Sequence, residues 1–165
     1  MKEGKLQISC GNGKGKTTAA IGQAIREASK GRSVFIVQFL KGKQEEEISF
    51  IKRLEPEIKV FSFEKLDRPY AELSKEEQSE EAANMRNGVN FAKKVLSTRD
   101  CDVLILDEIL GLVDHGIIES EDIARLLEAR DEDVDIIMTG IVFPEELYPL
   151  VDRVTRIDSV DMKEG

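Results

Sequence analysis

Short apolar runs alternate with longer amphipathic ones along most of this chain. That alternation is the signature of βαβ units in a parallel sheet, whose strands are covered on both faces and so read as near-continuous hydrophobic stretches. Runs near Leu6 to Cys10, Ser33 to Phe39, Ile58 to Phe63, Asp102 to Asp107, Asp135 to Thr139 and Arg153 to Ile157 read as strands. The interval after the first run opens at Gly15 and carries Ala20, Ile21, Ala24, Ile25 and Ala28 on one helical face. It stops at Lys30-Gly31, a basic last turn followed by a glycine suited to a left-handed cap. Ser74-Lys-Glu-Glu77 has the form of a capping box, and Ala82, Met85, Val89, Ala92 and Leu96 follow at three and four spacing. The spacing predicts a long helix over Lys75 to Leu96 with a solvated charged face. A shorter helix is expected after Ser120, with Ile123, Leu126 and Leu127 as its buried stripe, and Pro144 is placed in the first turn of another. Lys65 to Leu73 follows neither period and reads as a surface loop.

Composition bounds this picture. With 165 residues, 41% hydrophobic and 35% charged, the chain has the make-up of one globular domain over residues 1–165 that needs no disulfide or metal to fold. There is no internal repeat, low-complexity tract or linker. A formal charge of −9 repels a phosphate backbone on average, so nucleic acid is not an expected partner. No apolar run approaches a membrane span, and the first residues carry no secretory pattern, which makes no membrane and a cytoplasmic location the expectation. Cys10, Cys101 and His115 are too few and too scattered for a structural zinc site, and each cysteine reads as a small buried hydrophobe.

The chemistry enters at Cys10-Gly-Asn-Gly-Lys-Gly-Lys-Thr-Thr18, between the first strand and the first helix. Glycines let the backbone turn and aim successive N–H groups at phosphate oxygens; Lys16 would neutralise charge, and the Thr17 hydroxyl would ligate Mg²⁺. Gly11, Asn12, Gly13, Lys14, Gly15, Lys16, Thr17 and Thr18 are therefore the candidate nucleotide-binding residues, in a Walker A pattern whose first position holds Cys10 in place of Gly. A second signal is Val103-Leu-Ile-Leu-Asp-Glu108, a buried strand that ends in two acids at the edge where doubly wound sheets bind ligands. Thr17, Asp107 and Glu108 are the candidate metal ligands. One of the two acids would bind Thr17 or water and the other the metal, and the residues alone leave that division open. The fold class expected is α/β, a single doubly wound P-loop NTPase-like domain with about six mainly parallel strands. Such a loop serves ATPases, kinases and transferases alike, so an ATP-binding regulatory module or a small-molecule kinase also fits the residues.

The residues resemble the P-loop ATP:corrinoid adenosyltransferases. The match runs from Gly11-Asn-Gly-Lys-Gly-Lys-Thr-Thr-Ala-Ala20 through Val37-Gln-Phe-Leu-Lys-Gly42, Leu106-Asp-Glu-Ile109 and Thr139-Gly140 to Asp152-Arg-Val-Thr155. The resemblance implies transfer of the 5′-deoxyadenosyl group of ATP to the Co(I) of a corrinoid such as cobalamin, with release of triphosphate. Lys16, Thr17 and Glu108 would be the catalytic residues and Mg²⁺ the cofactor, with an electron donor for Co(II) and a second copy of the chain in a homodimer as partners. It further implies that Phe61 and Phe63 lie under the corrin and exclude its lower axial ligand. Spacing alone makes two Phe at i and i+2 of a strand ordinary core. Phe63 stands where the family carries Trp, and Ile141 where it carries Arg.

Overall fold

The computed structural model describes residues 5–40 and 46–163. Lys41 and Gly42 of the Val37-to-Gly42 motif lie outside them. Six strands, β1 (Leu6–Cys10), β2 (Val34–Gln38), β3 (Ile58–Ser62), β4 (Val103–Asp107), β5 (Asp135–Thr139) and β6 (Arg153–Arg156), form one sheet in the order β3-β2-β4-β5-β1-β6. Every pairing is parallel. The strands begin or end up to one residue inside the apolar runs, because the run continues into the turn after ladder pairing has ceased.

Helix α1 (Lys16–Ser29) carries the chain from β1 across to β2, and α2 (Glu46–Ile51) leads on to the β3 edge. The return uses the other face: α3 (Lys75–Thr98) joins β3 to β4, while α4 (Ile109–Asp114) and α5 (Ser120–Glu128) join β4 to β5. Alternating side chains of the inner strands β2, β4 and β5 therefore enter two separate cores, while the edge strand β6 is exposed throughout. One gathers Ala20 and Ala24 of α1 with Val34, Ile36, Ile58, Val103, Ile105 and Ile137. The larger core gathers the opposite parity, such as Leu104, Leu106, Ile136 and Met138, against Met85, Ala92, Leu126 and Leu127. This is the doubly wound arrangement expected, with winding reversed between the faces as right-handed crossovers require.

Several local expectations need correction. Ile25 is exposed, because the buried arc of α1 centres on Ala20, Ala24 and Glu27, and five residues at about 100° each carry Ile25 roughly 140° from Ala20. Glu27 takes the inward place by accepting from Arg32 at 2.6 Å. Nor is the charged face of α3 wholly solvated: Glu81 is buried, its carboxylate accepting from the backbone N–H groups of Lys65 and Leu66. That anchor pins the surface loop, which includes a short 3-10 turn over Tyr70–Glu72 and buries Leu73. Helix α5 starts at Ser120 itself, with Glu119 as the N-cap and Asp122 completing a capping box. Pro144 is the N-cap of a 3-10 turn over Glu145–Leu150 and not a first-turn residue. Both cysteines are buried and free, and burial pushes the Cys101 thiol up to about 12. No helix among the described residues is long and apolar enough to cross a membrane.

Candidate active site

The loop from β1 to α1 lies at the carboxyl edge of the sheet. Cys10 keeps its side chain in the larger core, and the chain then turns through Gly11 at φ 117° and Gly15 at φ 107°, left-handed values that favour glycine. Close approach is a second reason for glycine here. A Cβ on Gly11 would lie 2.3 Å from the Ile157 carbonyl oxygen, and one on Gly13 would lie 2.6 Å from the same atom. The segment after β6 thus lies directly on the loop. Gly13 N–H donates to the Ile157 carbonyl at 2.8 Å, Lys14 N–H to Ser159 Oγ at 3.0 Å, and Asn12 N–H reaches Asp158 Oδ1 at 3.4 Å.

Gly15 is the N-cap of α1 and offers no side-chain cap, so the first N–H groups of a 14-residue helix, at Lys16, Thr17 and Thr18, converge at the mouth of the loop with the positive end of the helix dipole behind them. This is anion-binding geometry. The Lys16 ammonium, buried under the loop, donates to the Gly11 carbonyl at 2.8 Å and the Gly13 carbonyl at 2.9 Å. Asn12, Lys14, Gly15 and Thr18 are exposed along the rim.

Thr17 comes together with Asp107 at the end of β4. Its hydroxyl lies 3.1 Å from Oδ1 and 3.0 Å from Oδ2 of that carboxylate, which is 1% exposed. Thr139, at the end of the neighbouring β5, donates to Asp107 Oδ1 at 2.8 Å and accepts from the Glu108 N–H at 2.8 Å. Since Thr17 spends its one proton on Asp107, the lone pairs of its oxygen are left to face a cation. Among the described residues there is no group of three or more His, Cys, Asp or Glu that could hold a metal ion. Mg²⁺ is ordinarily held by one or two carboxylates completed by water and substrate phosphates, and a hydroxyl with two acids fits that demand.

Glu108 leaves the strand in a left-handed conformation, φ 65°, as N-cap of α4, with Oε2 3.6 Å from where a Cβ on Gly111 would lie. Leu40, just past the adjacent β2, is also left-handed, φ 58°, and a Cβ on Gly111 would meet its Cδ1 at 2.5 Å. Two non-glycine residues at about 1–2 kcal/mol each of backbone cost therefore stand side by side at this edge. Asp107 is thereby fixed behind Thr17, while Glu108 is turned out of the strand line.

Phe61 and Phe63 are not brought to this group. Both project to the opposite face of the sheet, where Phe61 lies 5.1 Å from Phe35 and 4.7 Å from Phe91 between ring centroids, and Phe63 lies 5.5 Å from Phe91. Each ring is only partly buried against the larger core. Ile141, 50% exposed, sits on the other flank of the loop in a cleft of about 980 Å³ walled also by Val142, Phe143, Tyr148 and Arg156.

Residue patterns did not single out Thr139 as a support of Asp107, nor residues 157–159 as neighbours of the loop. The first could have been read from a hydroxyl ending the strand beside the acidic one; the second joins positions some 145 apart and leaves no local signal.

The profile of the family described as ATP:corrinoid adenosyltransferase BtuR/CobO/CobP matches residues 2–163. A corrinoid adenosyltransferase of Escherichia coli strain K12 is 30% identical over 159 residues, which cover 96% of this chain and 79% of that one. Corrinoid adenosyltransferase CobA of Salmonella typhimurium is 29% identical over the same shares. Among solved structures, the KaiC-like protein PH0186 of Pyrococcus horikoshii superposes with a TM-score of 0.61 at 17% identity, covering 99% of this chain and 76% of that one. The RadB recombinase does so with a TM-score of 0.58 at 16% identity, covering 96% and 76%. At these identities the two structures speak for the fold alone.

Proposed function

The chain belongs to the ATP:corrinoid adenosyltransferases, which adenosylate a corrinoid with ATP as donor, and from that premise we propose that it transfers the 5′-deoxyadenosyl group of ATP to the Co(I) of cobalamin and releases triphosphate. In this step cobalt supplies the electron pair of a new Co–C bond, the C5′–O bond breaks, and its pair leaves on the triphosphate oxygen. Cobalt passes formally from +1 to +3.

The observation that carries the reading is the convergence of Lys16, the uncapped N-terminus of α1 and the Thr17–Asp107 pair on one point at the carboxyl edge. Negative charge grows on the departing triphosphate. The uncapped N–H groups at the start of α1 stabilise it at fixed positions, without having to reorganise as water would, and the Lys16 ammonium adds its positive charge. Asp107 orients the Thr17 hydroxyl, and Thr139 orients Asp107. Thr17, Asp107 and Glu108 would hold Mg²⁺, which when bound supplies further charge neutralisation at the phosphates. Gly11 to Thr18 bind the nucleotide, and Phe61 and Phe63 shield the lower face of the corrin. Removing an axial donor is the lever that makes Co(II) reducible by an external electron donor. One domain spanning residues 1–165, working as a cytoplasmic homodimer, completes the proposal.

Incubation with ATP, Mg²⁺ and chemically reduced cobalamin tests it. Triphosphate and a Co–C bond in equal amounts are expected; ADP or phosphate as the nucleotide product would overturn it.

A further inference from the structure

Gln38 is the last residue of β2 and is 3% exposed, yet among the described residues its Nε2 has no hydrogen-bond partner. A buried amide nitrogen without an acceptor is costly, and native structures keep such groups mainly where a ligand or water satisfies them. Its place in the fold says which ligand. Val34 and Ile36, of the same parity in β2, face α1 in the smaller core, so Gln38 projects to that face too. It stands in register with Asp107 of β4, whose carboxylate accepts from Thr17 at the start of α1. Asp107 accepts from Thr17 and Thr139, and the Gln38 amide does not bond it. Gln38 thus stands level with the phosphate cradle, at the edge where Leu40 and Glu108 take left-handed conformations.

We infer that Gln38 is a positioning residue for the triphosphate, its Nε2 donating to a phosphate oxygen of the bound anion. The inference rests on the reading that the cradle takes a triphosphate, and it gives the Val37-to-Gly42 motif a task. An amide suits the place better than a carboxylate, which would repel the phosphates and offer a base to water.

The test uses inorganic tripolyphosphate as probe, measured by calorimetry with and without Mg²⁺ on the parent, Gln38→Leu and Gln38→Glu, beside thermal unfolding of each unliganded protein. Parent binding tests the cradle itself, so a parent that fails to bind faults the premise; the variants, compared with a binding parent, test Gln38. Gln38→Leu removes an unpaired polar group, so its unliganded melting temperature should equal or exceed the parent's while affinity falls roughly tenfold or more. Gln38→Glu keeps the shape but replaces donor with acceptor and should fall at least as far. The loss should be present with and without Mg²⁺, and a loss seen only with Mg²⁺ would place the amide on the metal's side and overturn the bond to phosphate. Parent-like affinity in Gln38→Glu, or a loss that merely follows a lowered melting temperature in both variants, would overturn the assignment.

Discussion

At the scale of single residues, the site is a chain of oriented hydrogen bonds with Asp107 at its centre. The Thr139 hydroxyl has both its roles filled, donating to Asp107 and accepting from the Glu108 N–H, so it couples the buried acid to the backbone that turns the second acid outward. Thr139→Val keeps the shape and removes both bonds. It should cost about 1–3 kcal/mol of stability in chemical denaturation, since a buried N–H loses its acceptor. The metal concentration needed for half-maximal tripolyphosphate binding should rise with it. Parent-like values of both would leave Thr139 a packing residue. Legibility at this scale was uneven. Lys16, Thr17 and Asp107 announce themselves because residue type and spacing follow from phosphate chemistry, whereas Thr139 and Gln38 are polar residues at strand ends whose meaning depends on which strand lies beside them.

At the scale of elements, the two longest helices differ in how they begin. Helix α3 has a complete capping box between Ser74 and Glu77, which also holds the Glu77 carboxyl below the usual carboxylate range through its backbone hydrogen bond to Ser74. Helix α1 has no side-chain cap at all, a helix start left for an anion. The long strands and helices could be read from periodicity. The 6-residue α2 and α4 could not, because two turns carry too few apolar positions to show a period. The strand that presents Phe61 and Phe63 is where element packing and function pull apart. Phe61 lies between Phe35 and Phe91, while Phe63 rests on α3 at Gly88, where an added Cβ would meet its ring at 3.0 Å. Phe61→Ala should therefore lose about 2–4 kcal/mol of stability, as a partly buried ring does. Phe63→Ala should lose less, and should diminish the four-coordinate Co(II) absorption formed with ATP and cobalamin more than Phe61→Ala does. Equal destabilisation with that absorption intact in both would make the pair core alone.

For the molecule as a whole, the two edges of the sheet divide the work. At the amino edge, Arg32 bridges Glu27 at 2.6 Å and Asp135 at 2.8 Å, and Asp102 accepts from the Ser33 N–H at 2.9 Å, so α1, β2, β4 and β5 are tied together by charge. The carboxyl edge carries the loop, the acids and the strained turns. Arg32→Ala should lower stability by about 1–2 kcal/mol, between the values for exposed and buried ion pairs, while leaving tripolyphosphate affinity unchanged. A matching loss of affinity would show the edges to be coupled. The sheet was legible because parallel strands covered on both faces keep unbroken apolar runs. Its strand order follows from which helix crosses which face, a relation of the folded chain that no stretch of sequence contains.

The contact between residues 157–159 and the loop carries a consequence for affinity. Gly13 and Lys14 N–H groups belong to the donor set of a phosphate loop, and here they already bond Ile157 and Ser159. An incoming anion thus meets a tethered competitor, present on every molecule at an effective concentration fixed by the fold, and its apparent affinity is the intrinsic one multiplied by the fraction of molecules in which those N–H groups are free. Releasing one bond with Ser159→Ala should tighten tripolyphosphate severalfold, the worth of about 1 kcal/mol. Amide exchange at Gly13 and Lys14 would follow it: in the parent, tripolyphosphate should leave those two amides nearly as protected as before, since one acceptor only replaces another, whereas in the variant Lys14 should gain protection.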